Sequence, residues 1–251
     1  MRSEIEVDLV QSLVVQGLND CAISRTTGIP RGTVRMWRIG RIPSSARLRA
    51  AMCDVCRGAA NPSVPSGQYA YLLGQYLGDG SITEMRRGVH LLRIITDARY
   101  PGIIEECATA MTAVMPHNKV RIAPAHDSAA MIVSAYSKHW PCLFPQHGPG
   151  MKHTRKICLE SWQVAIVQDH PEAFLRGLIH SDGCRVLNRV QKGKYAYPRY
   201  QFSQVSEDIR RIFTDACDQL GISWRRMNRV NISIARRDSV ALMDTFVGPK
   251  T

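Results

Sequence analysis

Apolar residues at helical spacing open the chain over residues 7–15, and Gly17 is placed to end that helix. Asn19 or Asp20 offers an N-cap for a second helix running to Thr27. Gly28-Ile29-Pro30 breaks it, and a third helix spans residues 31–38 with Val34 and Trp37 on one face. Further on, two segments repeat one pattern: Leu72-Leu73-Gly74-Gln75-Tyr76-Leu77-Gly78-Asp79-Gly80 and Leu175-Arg176-Gly177-Leu178-Ile179-His180-Ser181-Asp182-Gly183. Each reads as an apolar helix with Gly partway along and Asp-Gly at its end. Packed side by side, such helices would bring two carboxylates together.

The order of elements downstream of each segment repeats as well. After the first come a strand-like run at 90–96, a helix at 102–113 opened by Pro101, strands at 119–122 and 131–135 around a turn near His126-Asp127, and a short helix at 139–144. After the second come an alternating strand at 199–205, a helix at 207–220 capped by Ser206 and ended by Gly221, strands at 224–227 and 231–235 around Asn228, and a helix at 239–246. Gly148-Pro149 and Gly248-Pro249 close the halves. Strands grouped between helices, rather than alternating with them one for one, predict an α+β fold, a duplicated αββαββα unit. The predicted organisation is a helical domain at 1–50, a Pro/Ser/Gly-rich linker at 51–68, repeats at 69–150 and 172–251, and a basic connector at 151–171 containing a helix at 159–167.

Charge sharpens this picture. The net charge of +12 over 251 residues points to a polyanionic partner. Residues 21–50 hold seven arginines and no acid, and residues 185–237 hold twelve basic residues against four acids. The arrangement of Ile23, Ser24, Gly28, Ile29, Val34 and Trp37 resembles a helix-turn-helix, small inside, Gly at the turn and apolar anchors beyond it. That puts Arg31, Thr33, Arg35 and Arg38 in position to meet DNA bases or phosphates. On the strands of the second repeat, Arg185, Arg189, Lys192, Lys194, Arg199, Gln201, Arg225, Arg226 and Arg229 form the predicted DNA-binding stripe. No apolar run is long enough to span a bilayer, no export signal opens the sequence, and the scattered cysteines read as reduced thiols in a cytoplasm. Cys53 and Cys56 have the spacing of half a zinc site, and Cys142, His147, His153 and Cys158 form a looser set. Without a second CxxC, zinc is the minor reading for both.

The repeated segments and the matching order after them resemble the LAGLIDADG family of homing endonucleases in its two-motif, single-chain form. The resemblance spans roughly residues 69–250. It implies a pseudo-twofold saddle, monomeric with an internal pseudo-dimer, in which Gly74 and Gly177 allow the motif helices to approach closely. It further implies that Asp79 and Asp182 hold Mg²⁺ or Mn²⁺, aided by the backbone carbonyls of Gly78 and Ser181, for double-strand DNA cleavage. A basic residue near the end of each half's strands is expected to act beside them; by position these are Lys138 and Arg237 (or Arg236), with Gln204 a weaker candidate for orienting water. Tyr76 and His180 are bulky for a close crossing. No Ser, Cys or Thr stands at position 1 and no His-Asn pair ends the sequence, so a free-standing protein rather than an intein is expected. The alternative function is a transcriptional regulator of a kind found in bacteria, a helix-turn-helix on a LAGLIDADG scaffold that no longer cleaves. Its warrant is that Asp before Gly also serves as a plain turn residue. An RNA-splicing cofactor ranks third.

Overall fold

The computed structural model describes residues 4–41, 62–126, 128–190, 195–248 and 250. Cys53, Cys56, Lys192, Lys194 and most of the expected linker lie outside them. The chain divides into two compact units, Met1–Ala59 and Ala60–Thr251.

The first unit contains α1 (Glu4–Val15), α2 (Asp20–Thr27) and α3 (Arg31–Arg38). Asn19, not Asp20, caps α2, its side-chain oxygen accepting from the Ala22 amide at 2.9 Å. Gly28 ends α2 in the left-handed region at φ 68°, which a side chain would strain. The Ser24 hydroxyl donates to the Ile29 carbonyl at 2.6 Å and holds the turn into α3. Val7, Val10, Ile23, Ile29, Val34 and Trp37 close a small core. Arg31 and Arg35 are exposed on α3, whereas Arg38 pairs with Asp20 at 3.0 Å.

The second unit is α+β and duplicated. Its first half runs α4 (Ser66–Asp79), β1 (Gly80–Glu84), β2 (His90–Asp97), α5 (Pro101–Val114), β3 (Val120–Pro124), β4 (Ala130–Ser137) and α6 (Trp140–Leu143). A connecting helix, α7 (Ser161–Asp169), begins with a Glu160–Gln163 capping box. The second half runs α8 (Pro171–Asp182), β5 (Gly183–Val190), β6 (Tyr195–Ser203), α9 (Glu207–Gln219), β7 (Arg225–Arg226), β8 (Asn231–Ile234) and α10 (Arg237–Phe246). The sheets are antiparallel and share one topology, β1-β2-β4-β3 and β5-β6-β8-β7. Helix α4 starts at Ser66, directly after Pro65, so residues 66–68 are helical rather than linker.

Helices α4 and α8 cross at Gly74 and Gly177. A Cβ on Gly74 would lie 2.5 Å from the Phe174 carbonyl oxygen, and one on Gly177 would lie 2.2 Å from the Tyr71 oxygen. These obstacles are backbone atoms, which cannot swing aside. The bulky neighbours fit because they point off the crossing. Tyr76 packs on Phe144 with ring centroids 4.5 Å apart. His180 meets the Tyr71 hydroxyl at 3.1 Å, and Gln75 donates to that hydroxyl at 2.9 Å. Arg176 adds a clamp between the halves, gripping both Glu106 oxygens at 2.7 and 2.8 Å and the Phe246 and Val247 carbonyls at 2.6 Å.

Gly74→Ala and Gly177→Ala are each expected to destabilise this unit by at least about 2 kcal/mol in chemical denaturation. Gly32→Ala in α3 is the control: nothing lies within 4 Å of its added Cβ, so its effect should stay within about 1 kcal/mol.

Candidate active site

Each crossing helix ends in its acid. Asp79 is the last residue of α4 and Asp182 the last of α8, and Gly80 and Gly183 turn the chain straight into β1 and β5. The ends meet because Gly78 lacks a side chain: a Cβ there would stand 2.1 Å from the Ser181 hydroxyl and 3.1 Å from an Asp182 carboxylate oxygen. Ser181 turns its hydroxyl back onto its own helix, donating to the carbonyls of Gly177 and Leu178. Gln204 donates to Asp182 Oδ2 at 2.6 Å while its oxygen accepts from the Ser206 amide, which fixes the carboxylate's orientation.

Two lysines not expected at the site from the sequence complete it. Lys152, from the connector, donates to the carbonyl oxygens of Tyr76 and Gly78 at 2.5 and 2.6 Å. Lys250 donates to the His180 carbonyl at 2.9 Å. Both come shortly after a Gly-Pro that closes a half, a repeated signal that could have marked them. Lys138 and Arg237 are elsewhere. Gly80 is level with Ile94 and Val133 across the first sheet, and Lys138 lies five residues past Val133, roughly 16 Å at strand rise. Arg237 has the same offset from Ile232, which is level with Gly183. The strands run away from the crossing, so residues at their far ends leave it, while the segments after each Gly-Pro return to it.

The electrostatics result from this crowding. Burial pushes the Asp182 carboxyl up to about 6, and the neighbouring Asp79 charge adds to the rise against the pull of Lys152, Lys250 and Gln204. Asp79 is raised too, by burial first and against the pull of Lys152 and Lys250. Burial lowers Lys152 to about 8, with both acids opposing the drop. Among the described residues no group of three or more His, Cys, Asp or Glu is arranged to hold a metal, which removes the set of Cys142, His147, His153 and Cys158. The acid pair is a different donor set. Two carboxylates with adjacent backbone carbonyls are hard oxygen ligands and suit a small divalent cation, although Lys152 already holds the Gly78 carbonyl.

The pleat sorts the expected DNA contacts by face. Leu92, Ile94, Val133, Tyr200, Phe202 and Ile232 point to the helices. The first row on the opposite face reads Ser81, Arg93, Ser134, Arg121 in one sheet and Cys184, Gln201, Ser233, Arg225 in the other. Arg121 and Arg225 thus occupy equivalent positions, and neither Arg93 nor Arg121 was expected from the sequence. Arg199 joins Gln201 and Arg225 on this face, two residues along β6. Arg185 and Arg226 do not belong to it. Arg185 is level with Tyr200 and pairs with Asp244 of α10 at 2.7 Å, and Arg226 is level with Ile232. Arg189 has the parity of Arg185, and Arg229 is exposed in the turn between β7 and β8. A single stripe was expected, but alternation sends neighbouring arginines to opposite faces.

No family model matches the chain, and no curated protein matches it. Solved structures do. I-DmoI in complex with DNA and Mn aligns at TM-score 0.50 and 16% identity, over 74% of this chain and 99% of that chain. The homing endonuclease I-WcaI bound to its DNA recognition sequence aligns at 0.47 and 17%, over 74% and 83%. The LAGLIDADG meganuclease I-AabMI bound to uncleaved DNA aligns at 0.44 and 10%, over 71% and 84%. The second unit has the α+β saddle fold of the LAGLIDADG homing endonucleases.

The Asp182 shift sets a pH dependence. Between its ordinary 3.8 and about 6, the folded protein keeps a proton the unfolded chain has released, so stability falls as pH rises through that window. Asp182→Asn, without divalent metal, is expected to melt a few degrees above wild type at pH 7.5. The gain should close by pH 3.5, where both forms are neutral at this position; scanning calorimetry at both pH values checks it.

Proposed function

We propose that the chain binds double-stranded DNA and cleaves both strands at a specific site with the help of a divalent cation. The observation that carries this reading is the pair of crowded carboxylates at the α4–α8 crossing, serving two sheets with equivalent open rows. Asp79 and Asp182 would hold the cation, with Gln204 fixing the Asp182 carboxylate and the Gly78 and Ser181 carbonyls as the further oxygen ligands. Bound Mg²⁺ or Mn²⁺ supplies Lewis-acid stabilisation of the leaving oxygen and an acidified water. Arg121, Arg225, Arg199 and Gln201 hold phosphates or reach base edges from the open faces. The pseudo-twofold arrangement lets one chain act on both strands as a monomer.

The first unit adds a helix-turn-helix reader. Its α3 enters the major groove with Arg31, Thr33 and Arg35, while Arg38 stays tied to Asp20 and braces the helix pair.

A second reading, a DNA-binding regulator without cleavage, is favoured by one observation. Lys152, Lys250 and Gln204 already offset the acid pair, so the carboxylates do not need a metal to be tolerated in the fold.

Cleavage of a plasmid target library with Mg²⁺ or Mn²⁺, lost in Asp79→Asn and in Asp182→Asn, is the expected outcome. Sequence-specific binding with no cutting under either metal would instead establish the regulator. For the surface, Arg121→Ala and Arg225→Ala should each weaken DNA binding and reduce its salt slope by about 1, while Arg185→Ala leaves the slope unchanged. Equal effects from all three in a salt titration would refute the assignment of faces.

A further inference from the structure

The two sheets repeat one register, so their open faces compare position by position. Gly80 is level with Ile94 and Val133, and Gly183 with Phe202 and Ile232. Counted from those levels, Leu91, Ile95, Ile132 and Tyr136 of the first sheet stand where Arg199, Ser203, Asn231 and Ala235 stand in the second. Alternation puts all eight on the open faces. The backbone is duplicated there, but the chemistry is not. On the first face Ile95, 45% exposed, is level with Ile132, and Leu91 is level with Tyr136, 53% exposed. On the second face the pair replacing the isoleucines is polar, the Ser203 hydroxyl donating to Asn231 Oδ1 at 2.5 Å. Ala235 is small where Tyr136 is large, and a recess lies beside it, lined by Arg199, Arg225, Met227, Ser233 and Arg236. Ser233 is only 6% exposed, and its hydroxyl has no hydrogen-bond partner among the described residues. A buried hydroxyl left unpaired costs stability, so a ligand that completes it is favoured. Arg236 is held by Asp238, whereas Arg199 and Gln201 reach only the Met227 thioether, at 4.0 and 3.9 Å. A thioether is a weak acceptor that a better one replaces.

We propose that the two sheets read chemically unlike halves of the target: the first selects thymine through its methyl group, over Ile95, Ile132, Leu91 and Tyr136, and the second selects guanine over the recess at Ser233, with Arg199 meeting its O6 and N7. Thymine is the base that shows a methyl group in the major groove, and guanine the one that shows two adjacent acceptors matching a guanidinium. The inference rests on the binding of double-stranded DNA by the open faces, and neither cleavage nor a metal enters it. A pseudo-twofold scaffold thereby acquires a target whose two arms differ in base composition.

The test begins with selection of bound duplexes from a randomised library by the full chain. The selected duplex is then remade with base analogues in one arm at a time and measured by competition binding. Deoxyuridine in place of thymidine removes only the methyl group, and 7-deazaguanine in place of guanine removes only the N7 acceptor. Deoxyuridine is expected to weaken binding at least about threefold in one arm and 7-deazaguanine at least about fivefold in the other, each leaving the opposite arm nearly unchanged. Ile95→Ser should erase the deoxyuridine effect alone, and Arg199→Leu the 7-deazaguanine effect alone, which assigns each arm to its sheet. The analogue measurements use the wild-type chain and stand even if a variant does not fold. Analogue effects equal in the two arms, or absent from both, overturn the proposal while leaving specific DNA binding intact; so does Arg199→Leu acting on the thymine arm. If the selection yields no preferred sequence, the site-specific reading falls together with the proposal.

Discussion

The backbone contact between α4 and α8 is the constraint on which the rest of the saddle depends. Gly74 and Gly177 let two helices touch main chain to main chain, at a separation that leaves no room for even a methyl group. Because each helix ends one turn later in its acid, the same contact fixes where the carboxylates lie. Because a strand begins directly after each acid, it also fixes where the sheets begin. Geometry at the crossing therefore propagates to the site and the DNA-facing surfaces with few intervening degrees of freedom. Tyr76 and His180 are accommodated because helical periodicity turns them off the crossing, into an aromatic pocket and a polar network.

Bringing two carboxylates together has an electrostatic cost, and the protein offsets it from both halves. Lys152 and Lys250 arrive from segments beyond equivalent Gly-Pro pairs, and Gln204 donates to Asp182 from the end of β6. The duplication thus extends beyond helices and strands to the charges that make the acid pair tolerable. It is not perfect. Lys152 takes two carbonyl oxygens at the end of α4, Lys250 one near the end of α8, and Asp182 has a hydrogen-bonding partner in Gln204. The two acids accordingly sit in different environments: burial raises both, and only Asp182 also has the Gln204 hydrogen bond acting on it. A site of this kind is pseudo-symmetric in position and unequal in chemistry.

Much of the fold was legible in the chain because its signals are local. Asn19, Gly28, Ser206 and Gly221 end or start helices through hydrogen bonds and backbone angles that involve only near neighbours. The acid pair was legible because one short pattern occurs twice at the same offset. Lys138 and Arg237 were misplaced for a nonlocal reason: sequence position gives the end of a strand but not how far that end lies from the crossing. The expected arginine stripe is split between two faces for a different reason. Charge density in a segment says nothing about faces, and the alternation of side chains along a strand sends the adjacent Arg225 and Arg226 to opposite sides of the sheet.

The sequence by itself determined the duplicated α+β plan, the glycines that permit the crossing and the acids that terminate its helices. These depend on periodicity, caps and repeated spacing, which are written residue by residue. Only the tertiary structure decided which cations neutralise those acids and which arginines share the open rows. Both are set by where distant segments return in space, and the connector that delivers Lys152 comes back beside α4 across 74 residues of chain, to the Gly78 carbonyl.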